Sequence, residues 1–250
     1  MVQIFADVSS MQDGLLAIGG SDYNHIKNVL RMHPGEKLSV RGGDSSGEEY
    51  LFEIVSFTDA QVNCRLLSVK QAESELPVNV LLFQGLPKSD KMDFIIQKTV
   101  EMGVSEIIPV EMHRSIVKLT GDKRRKRVAR WQAIAEAAAK QSKRAGIPRA
   151  QEILSMKEAL AYAAEHSDLI LVPYERLSDE PESGTRALID ALQPGQTADV
   201  FVGPEGGFEE AEVETAVREG AKTISLGKRI LRTETAALAF LAFLIYRFEL

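Results

Sequence analysis

Two glycine-anchored segments constrain this fold most: Gly203-Pro-Glu-Gly-Gly207 and the run from Leu226 to Ala236 that opens Leu226-Gly-Lys-Arg. Each follows an apolar run that reads as a buried strand, Ala198–Val202 before the first and Thr223–Ser225 before the second. Each also precedes a helical pattern. The same alternation runs upstream: a strand at Val78–Phe83, a helix at Met92–Met102, a strand at Glu106–Val110, a helix over 122–145 and a strand at Leu169–Val172. Strands alternating with helices predict an α/β domain, a parallel sheet with helices on both faces. Ligands of such sheets sit outside the carboxyl ends of the strands. The two loops, read as neighbouring strand ends, therefore predict a small-molecule pocket. Gly203, Gly206 and Gly207 let the main chain approach that ligand closely.

The ligand predicted is not a phosphate. No Gly-x-x-x-x-Gly-Lys-Ser/Thr run and no Gly-x-Gly-x-x-Gly fingerprint is present. Glu205 stands inside the loop, where a carboxylate would repel phosphate; it suits a ligand offering hydroxyls or positive charge. Glu209 and Glu210 open the next helix and fit a simple complement to its dipole.

Residues 1–72 read differently. Short runs at Lys37–Val40, Tyr50–Val55 and Gln61–Leu67, separated by a glycine-rich turn at 42–47 and by Thr58-Asp59 and interrupted by one helical stretch at Asp22–Met32, predict a small β-barrel. The polar stretch 71–77 reads as a linker. Cys64 is the sole cysteine, so a disulfide framework or cysteine-based zinc site is excluded. The four histidines lack metal-ligand spacing, and no metal is expected. The start of the chain lacks signal-peptide character, and the apolar run 236–246 is short of the ~20 residues that span a bilayer. A cytoplasmic protein without a membrane partner is the expectation.

The net charge of −6 conceals an asymmetry. Residues 114–149 hold twelve Lys and Arg against Asp122 and Glu136. A basic block in an acidic chain is a footprint for polyanions. The run 123–127 alone reads as a solvated helix face. Arg114, Lys118, Arg130, Lys140, Lys143 and Arg144 extend the charge, and Trp131 offers a ring for stacking on a base. Nucleic acid is the predicted partner.

Both glycine loops resemble those of the uridine N3-methyltransferases of small-subunit ribosomal RNA, a family of the SPOUT class. Further matches are Gln84–Lys91, Ile96–Gly103, Arg130-Trp131, Glu136–Ser142 and His25–Arg31, so the resemblance spans nearly the whole chain. Lys228 stands where the family often has proline, and Asn24 where a second histidine is common. The resemblance implies an N-terminal PUA-like barrel (1–72) that binds RNA and a SPOUT domain (73–250) with a C-terminal trefoil knot. The last helix, from about Thr233, is apolar nearly all round, which a domain core or a second subunit would bury; the resemblance favours the subunit and so implies a homodimer. The implied cofactor is S-adenosylmethionine, and the implied substrate is 16S ribosomal RNA or the small subunit.

Carried onto this chain, the cofactor site comprises Val172, Pro173, Val202, Gly203, Pro204, Glu205, Gly206, Gly207, Ser225, Leu226, Gly227, Arg229, Ile230, Leu231, Thr235 and Ala236. Arg232 is expected to hold the uracil anion or its phosphate. Glu234 is expected to orient Arg232 or accept the N3 proton; equally, it reads as a first-turn acid behind a Thr233 or Thr235 cap. RNA contacts are expected from Lys27, Arg31, Lys88, Lys91, Arg114, Ser115, Lys118, Trp131, Gln141 and Arg144. Two alternatives stand beside this reading: an RNA-binding or ribosome-assembly protein of the same fold without catalysis, and a small-molecule enzyme with a merely solvated basic helix.

Overall fold

The structure, a computed structural model, describes residues 2–42, 48–71, 74–88, 90–174 and 183–250. Residues 43–47 of the turn expected at 42–47, and linker residues 72 and 73, lie outside the described residues. The chain divides into two compact units, residues 1–75 with 139–147, and residues 76–138 with 148–250.

In the first unit, β1 (Val2–Phe5), β2 (Leu15–Gly19), β3 (Lys37–Arg41), β4 (Glu48–Phe57) and β5 (Gln61–Gln71) form one sheet. Their order is β1-β3-β4-β5-β2, antiparallel except for β1 against β3. Register shifts at Leu51/Phe52 and Ile54/Ser56 bend the long β4. Alternation turns Leu38, Val40, Phe52, Ile54, Val62 and Cys64 inward, where they meet Ile4 of β1 and Leu16 and Ile18 of β2 around Ile26. Both edge strands thus share one core without pairing with each other among the described residues. The expected small barrel is a curled half-barrel among the described residues. The helical stretch begins as α1 (Gly20–Asn24) and continues as a π-turn, His25–Val29. Burial pushes the Cys64 thiol up to about 12, which leaves it inert.

The second unit carries a sheet of β6 (Asn79–Gly85), β7 (Glu106–Glu111), β8 (Arg149–Ala150), β9 (Leu154–Ser155), β10 (Leu169–Pro173), β11 (Thr197–Val202) and β12 (Lys222–Ile224). The order is β12-β10-β11-β6-β7-β8, with β9 also on β7, and every pairing is parallel. Its helices are α2 (Lys91–Glu101), α3 (Gly121–Ser142), α4 (Met156–His166), α5 (Ser183–Ala191), α6 (Glu210–Arg218) and α7 (Thr233–Phe248); the last turn of α3 belongs to the first unit.

Leu81, Phe83, Ile108, Val110, Val172 and Phe201 pack against Ala159, Leu160 and Ala163 of α4 and Val213 and Ala216 of α6. Phe83 and Phe201 stack with centroids 4.2 Å apart. Burial of each such large side chain stabilises the sheet by ~1.5–3 kcal/mol. On the opposite face α7 packs on β11 and α2 on α7, and both faces are covered as the alternation predicts. Asp199 interrupts the core: neither oxygen has a hydrogen-bond partner among the described residues. Its burial pushes the carboxyl up to about 7.

One expectation about topology is corrected. The strands before the two glycine loops, β11 and β12, are not neighbours, because β10 pairs with both. The strands flanking β11 are β10 and β6.

Candidate active site

The carboxyl edge of β6, β10 and β11 opens into a cavity of about 590 Å³. Its wall is mostly the loop segments from Val202 through Glu210 and from Ile230 through Thr233, completed by Lys91, Arg114, Pro173, Tyr174 and Ala236. The loops hold together through one buried hydrogen-bond relay. Gln84, fully buried near the end of β6, donates from Nε2 to Thr233 Oγ1 at 2.8 Å and to the Gly85 carbonyl at 3.0 Å. Thr233 in turn donates from Oγ1 to the Gly203 carbonyl at 2.7 Å. A strand end, the first glycine loop and the start of α7 are thereby joined by two side chains.

Glycine is required where these segments touch. A Cβ on Gly85 would lie 2.7 Å from Pro204 Cδ and 2.8 Å from both Pro204 N and Met112 Sδ. Gly207 has φ +69, a conformation costly for any other residue type. A Cβ on Gly206 would meet Arg114 Cβ at 3.0 Å, and Arg114 Nη1 donates to the Gly206 carbonyl at 3.0 Å.

Charge is arranged around Lys91, the first residue of α2. Its Nζ lies 3.2 Å from Glu205 Oε1 and 3.3 Å from Glu234 Oε2. Glu205 also accepts from the Lys88 amide, at 3.1 and 3.2 Å. Burial works to raise Glu205, but hydrogen bonds from its own amide and that of Lys88, together with Lys91, outweigh this and hold it below the ordinary carboxylate range. Lys91 is shifted up, first by its hydrogen bond to Glu205. Arg232 is the N-cap residue of α7 and makes no side-chain capping bond. It is exposed on the cavity rim, without an ion-pair partner among the described residues. Neither Thr233 nor Thr235 caps α7; the Thr233 hydroxyl is committed to Gly203. At α6, Glu209 is the N-cap and forms a capping box with Glu212, while its Oε2 lies 3.1 Å from His113 Nδ1.

Of the residues expected at the cofactor, Pro173, Val202, Gly203, Pro204, Glu205, Gly206, Gly207, Ile230, Leu231 and Ala236 line the cavity. Val172, Leu226, Arg229 and Thr235 do not; Val172 is fully buried in the sheet core. Ser225 and Gly227 face a separate, more apolar cavity of about 320 Å³ with Thr185, Ile189, Phe243 and Tyr246. Glu234 reaches the site through Lys91.

The RNA set needs three corrections. Trp131 is buried in the core at 3% exposure and has no face free for a base. Arg144 is equally buried, its Nε and Nη2 on the Glu75 carboxylate at 2.6–3.0 Å. Ser115 is buried and its Oγ accepts from the Met112 amide. Lys27, Arg31, Lys88, Arg114, Lys118 and Gln141 are exposed, with Lys27 resting 5.0 Å from the Tyr23 ring centre. Lys91 is turned into the carboxylate pair.

Sequence reasoning missed Gln84, Gly85, Tyr174 and Phe208 as site components, and missed what Thr233 does. One signal was available: a glycine at the carboxyl end of an apolar strand marks close backbone approach.

The RNA methyltransferase domain family matches residues 74–245, and the RNA methyltransferase PUA domain matches residues 18–67. The chain is 38% identical over 235 residues to ribosomal RNA small subunit methyltransferase E of Bacillus subtilis, covering 94% of this chain and 91% of that one. It is 31% identical to the protein of the same name from Mesomycoplasma hyopneumoniae, with 94% and 95% covered. Among solved structures, ribosomal RNA small subunit methyltransferase E from Neisseria gonorrhoeae bound to S-adenosyl methionine is similar at a TM-score of 0.81 and 30% identity, covering 99% of this chain and 98% of that one. A putative methyltransferase from Legionella pneumophila, in complex with the same cofactor, is similar at 0.80 and 30%, with 98% and 97% covered.

Proposed function

Because this chain belongs to the ribosomal RNA small subunit methyltransferase E family, we propose that it methylates N3 of a uridine in 16S ribosomal RNA with S-adenosylmethionine as donor. The observation carrying this reading is the cavity at the carboxyl edge of the sheet, lined by the two loop segments and rimmed by Arg232, which has no ion-pair partner among the described residues. Its volume suits a ligand of that size. Its lining suits that ligand's chemistry: loop segments whose main chain can meet adenine and ribose hydroxyls, and the carboxylates of Glu205, Glu209 and Glu210 set among Lys91, Arg114 and Arg232. When bound, S-adenosylmethionine supplies an electrophilic methyl group.

The protein's own residues prepare the acceptor. Uracil N3 carries a weakly acidic proton, and attack requires its removal. Glu234, oriented by Lys91, accepts that proton at a carboxylate oxygen. Arg232 sets its charge against the uracil oxygens, where negative charge grows as the proton leaves, and so favours the anion. Val202–Gly207 and Ile230–Leu231 hold the cofactor, with Pro173 along the edge.

The same reading divides the chain into a PUA-like RNA-binding domain (1–72) and a SPOUT domain (73–250). It gives the second a trefoil knot and pairs two chains through α7 in the cytoplasm. The exposed Ile230 and Tyr246 support such pairing, and the hydrogen bond joining the 203–207 and 230–233 segments is compatible with a knot.

The test is calorimetry with S-adenosylmethionine, then transfer of a labelled methyl group to unmodified small-subunit RNA with the product base identified by mass spectrometry. Cofactor and RNA binding without methyl incorporation would leave the non-catalytic RNA-binding reading in its place. Methylation elsewhere than N3 would keep the enzyme and overturn the position.

A further inference from the structure

The basic run at the start of α3 is not uniform. Arg124 is turned to the Ile153 carbonyl and Arg125 is paired with Asp122. Arg124 is held by the fold, while Arg125 is offset by an exposed neighbour on the same helix. Lys123, Lys126, Arg127 and Arg130 recur at helical spacing on another face, and together with Leu119 and Asp90 they line an open groove of about 550 Å³. Asp93 holds Arg130 in place, at 2.7 Å from Nη2 and 3.0 Å from Nε. Among the described residues, Lys123, Lys126 and Arg127 have no ion-pair partner. Three cations without an ion-pair partner among the described residues, on one wall against the carboxylate of Asp90, make a surface that favours a polyanion.

We infer that this groove is a track for the phosphodiester backbone of the RNA strand whose base enters the candidate active site. The inference rests on the RNA-methyltransferase reading above. Two chain connections place the groove beside that site. Asp90 lines the groove while Lys91, the next residue, lines the cavity; Arg114 lines the cavity, and Leu119 lies five residues on in the groove. Adjacent Cα atoms are only ~3.8 Å apart, so the two spaces lie on neighbouring residues at the start of α2. A strand lying along the cations would run toward the cavity, where Arg114 and Arg232 stand in the lining. Leu119 adds an apolar patch against which a sugar or base edge can rest. The chemistry recognised is phosphate, read without regard to sequence.

The test uses the full chain with a short fluorescein-labelled single-stranded RNA, followed by anisotropy over a range of salt. Lys123→Ala/Lys126→Ala/Arg127→Ala is compared with wild type and with a control that removes two cations elsewhere, Arg218→Ala/Lys222→Ala. Each phosphate contact contributes ~0.7 to the slope of log K against log salt, so the triple variant is expected to lose about two units of slope. The control keeps the wild-type slope. A charge-keeping variant, Lys123→Arg/Lys126→Arg/Arg127→Lys, is expected to restore the slope and separates lost charge from a damaged helix.

Wild-type slope in the alanine triple overturns the track. A slope equally reduced in the control also overturns it, since the effect is then one of overall field. Methyl incorporation by wild type into small-subunit RNA is measured in parallel. Its failure, with the slope change intact, removes the reaction and leaves the polyanion groove standing.

Discussion

Thr233→Val tests whether the relay behind the cavity holds its loops together. Valine matches threonine in shape and removes only the hydroxyl. That hydroxyl accepts from Gln84 Nε2 at 2.8 Å and donates to the Gly203 carbonyl at 2.7 Å. Gln84 is fully buried and Thr233 is 6% exposed, so water cannot easily replace either bond. Gln84 keeps its second bond, to the Gly85 carbonyl, and Gly203 is only half-buried. Each lost partner then costs toward the lower end of the usual 1–3 kcal/mol, or about 2–3 kcal/mol in all. For a unit of this size that lowers Tm by about 5–10 °C. Freed from α7, the 203–207 loop should also bind S-adenosylmethionine on the order of tenfold more weakly, a loss of about 1.4 kcal/mol. Differential scanning calorimetry and titration calorimetry read the two effects. Thr233→Ser keeps the hydroxyl and should retain most of the affinity. In a double-mutant cycle, Gln84→Met with Thr233→Val should fall short of additivity by about 0.5–3 kcal/mol. A Thr233→Val protein with wild-type Tm and cofactor affinity, or a strictly additive cycle, refutes the relay.

Gly85→Ala forces a methyl group into Pro204 and Met112; a loss of about 1–3 kcal/mol with weakened cofactor binding is expected, and a fully stable variant contradicts the close approach. Arg232→Ala should lower kcat by on the order of 10²–10³ with little change in cofactor Kd, and equal turnover on saturating RNA removes Arg232 from the mechanism. Glu234→Gln should be slow at neutral pH and recover as pH rises and uracil ionises unaided, whereas normal rates at neutral pH would reduce Glu234 to a first-turn acid. Asp199 binds its proton more tightly when folded, with the carboxyl raised from 3.8 to about 7. Its contribution is therefore greatest at low pH and is lost as pH rises through that interval. Asp199→Asn should stabilise the protein above about pH 7 and lose its advantage towards pH 4, as urea midpoints across pH would show; a pH-independent difference rules this out.

What the sequence made legible was local. Strand-then-helix periodicity is written in neighbouring residues, so the parallel sheet, α2, α3 and the two glycine loops could be placed within a few positions. What escaped depends on residues distant in sequence. Nothing near Thr223 indicates that β10 inserts between β11 and β12. Trp131 and Arg144 look available for RNA because they sit in a basic block, yet one is claimed by the core and the other by Glu75. The relay joins residues 149 apart in the chain, beyond any local pattern. Gly85 could have been suspected from its strand-end position, but which atoms press on it is a fact of tertiary packing.

The make-up of the first unit has a consequence for how the chain is born. Its sheet ends by residue 71, but the buried partner of Glu75 is Arg144, and residues 139–147 belong to the same unit. A nascent chain that has released only its first 75 residues holds Glu75 without that partner, so this unit cannot be completed in N- to C-terminal order. It waits until α3 has emerged from the ribosome. A fragment cut at residue 75 should accordingly be much less resistant to protease than the same residues in the whole chain, and supplying residues 139–147 in trans would be the way to restore it.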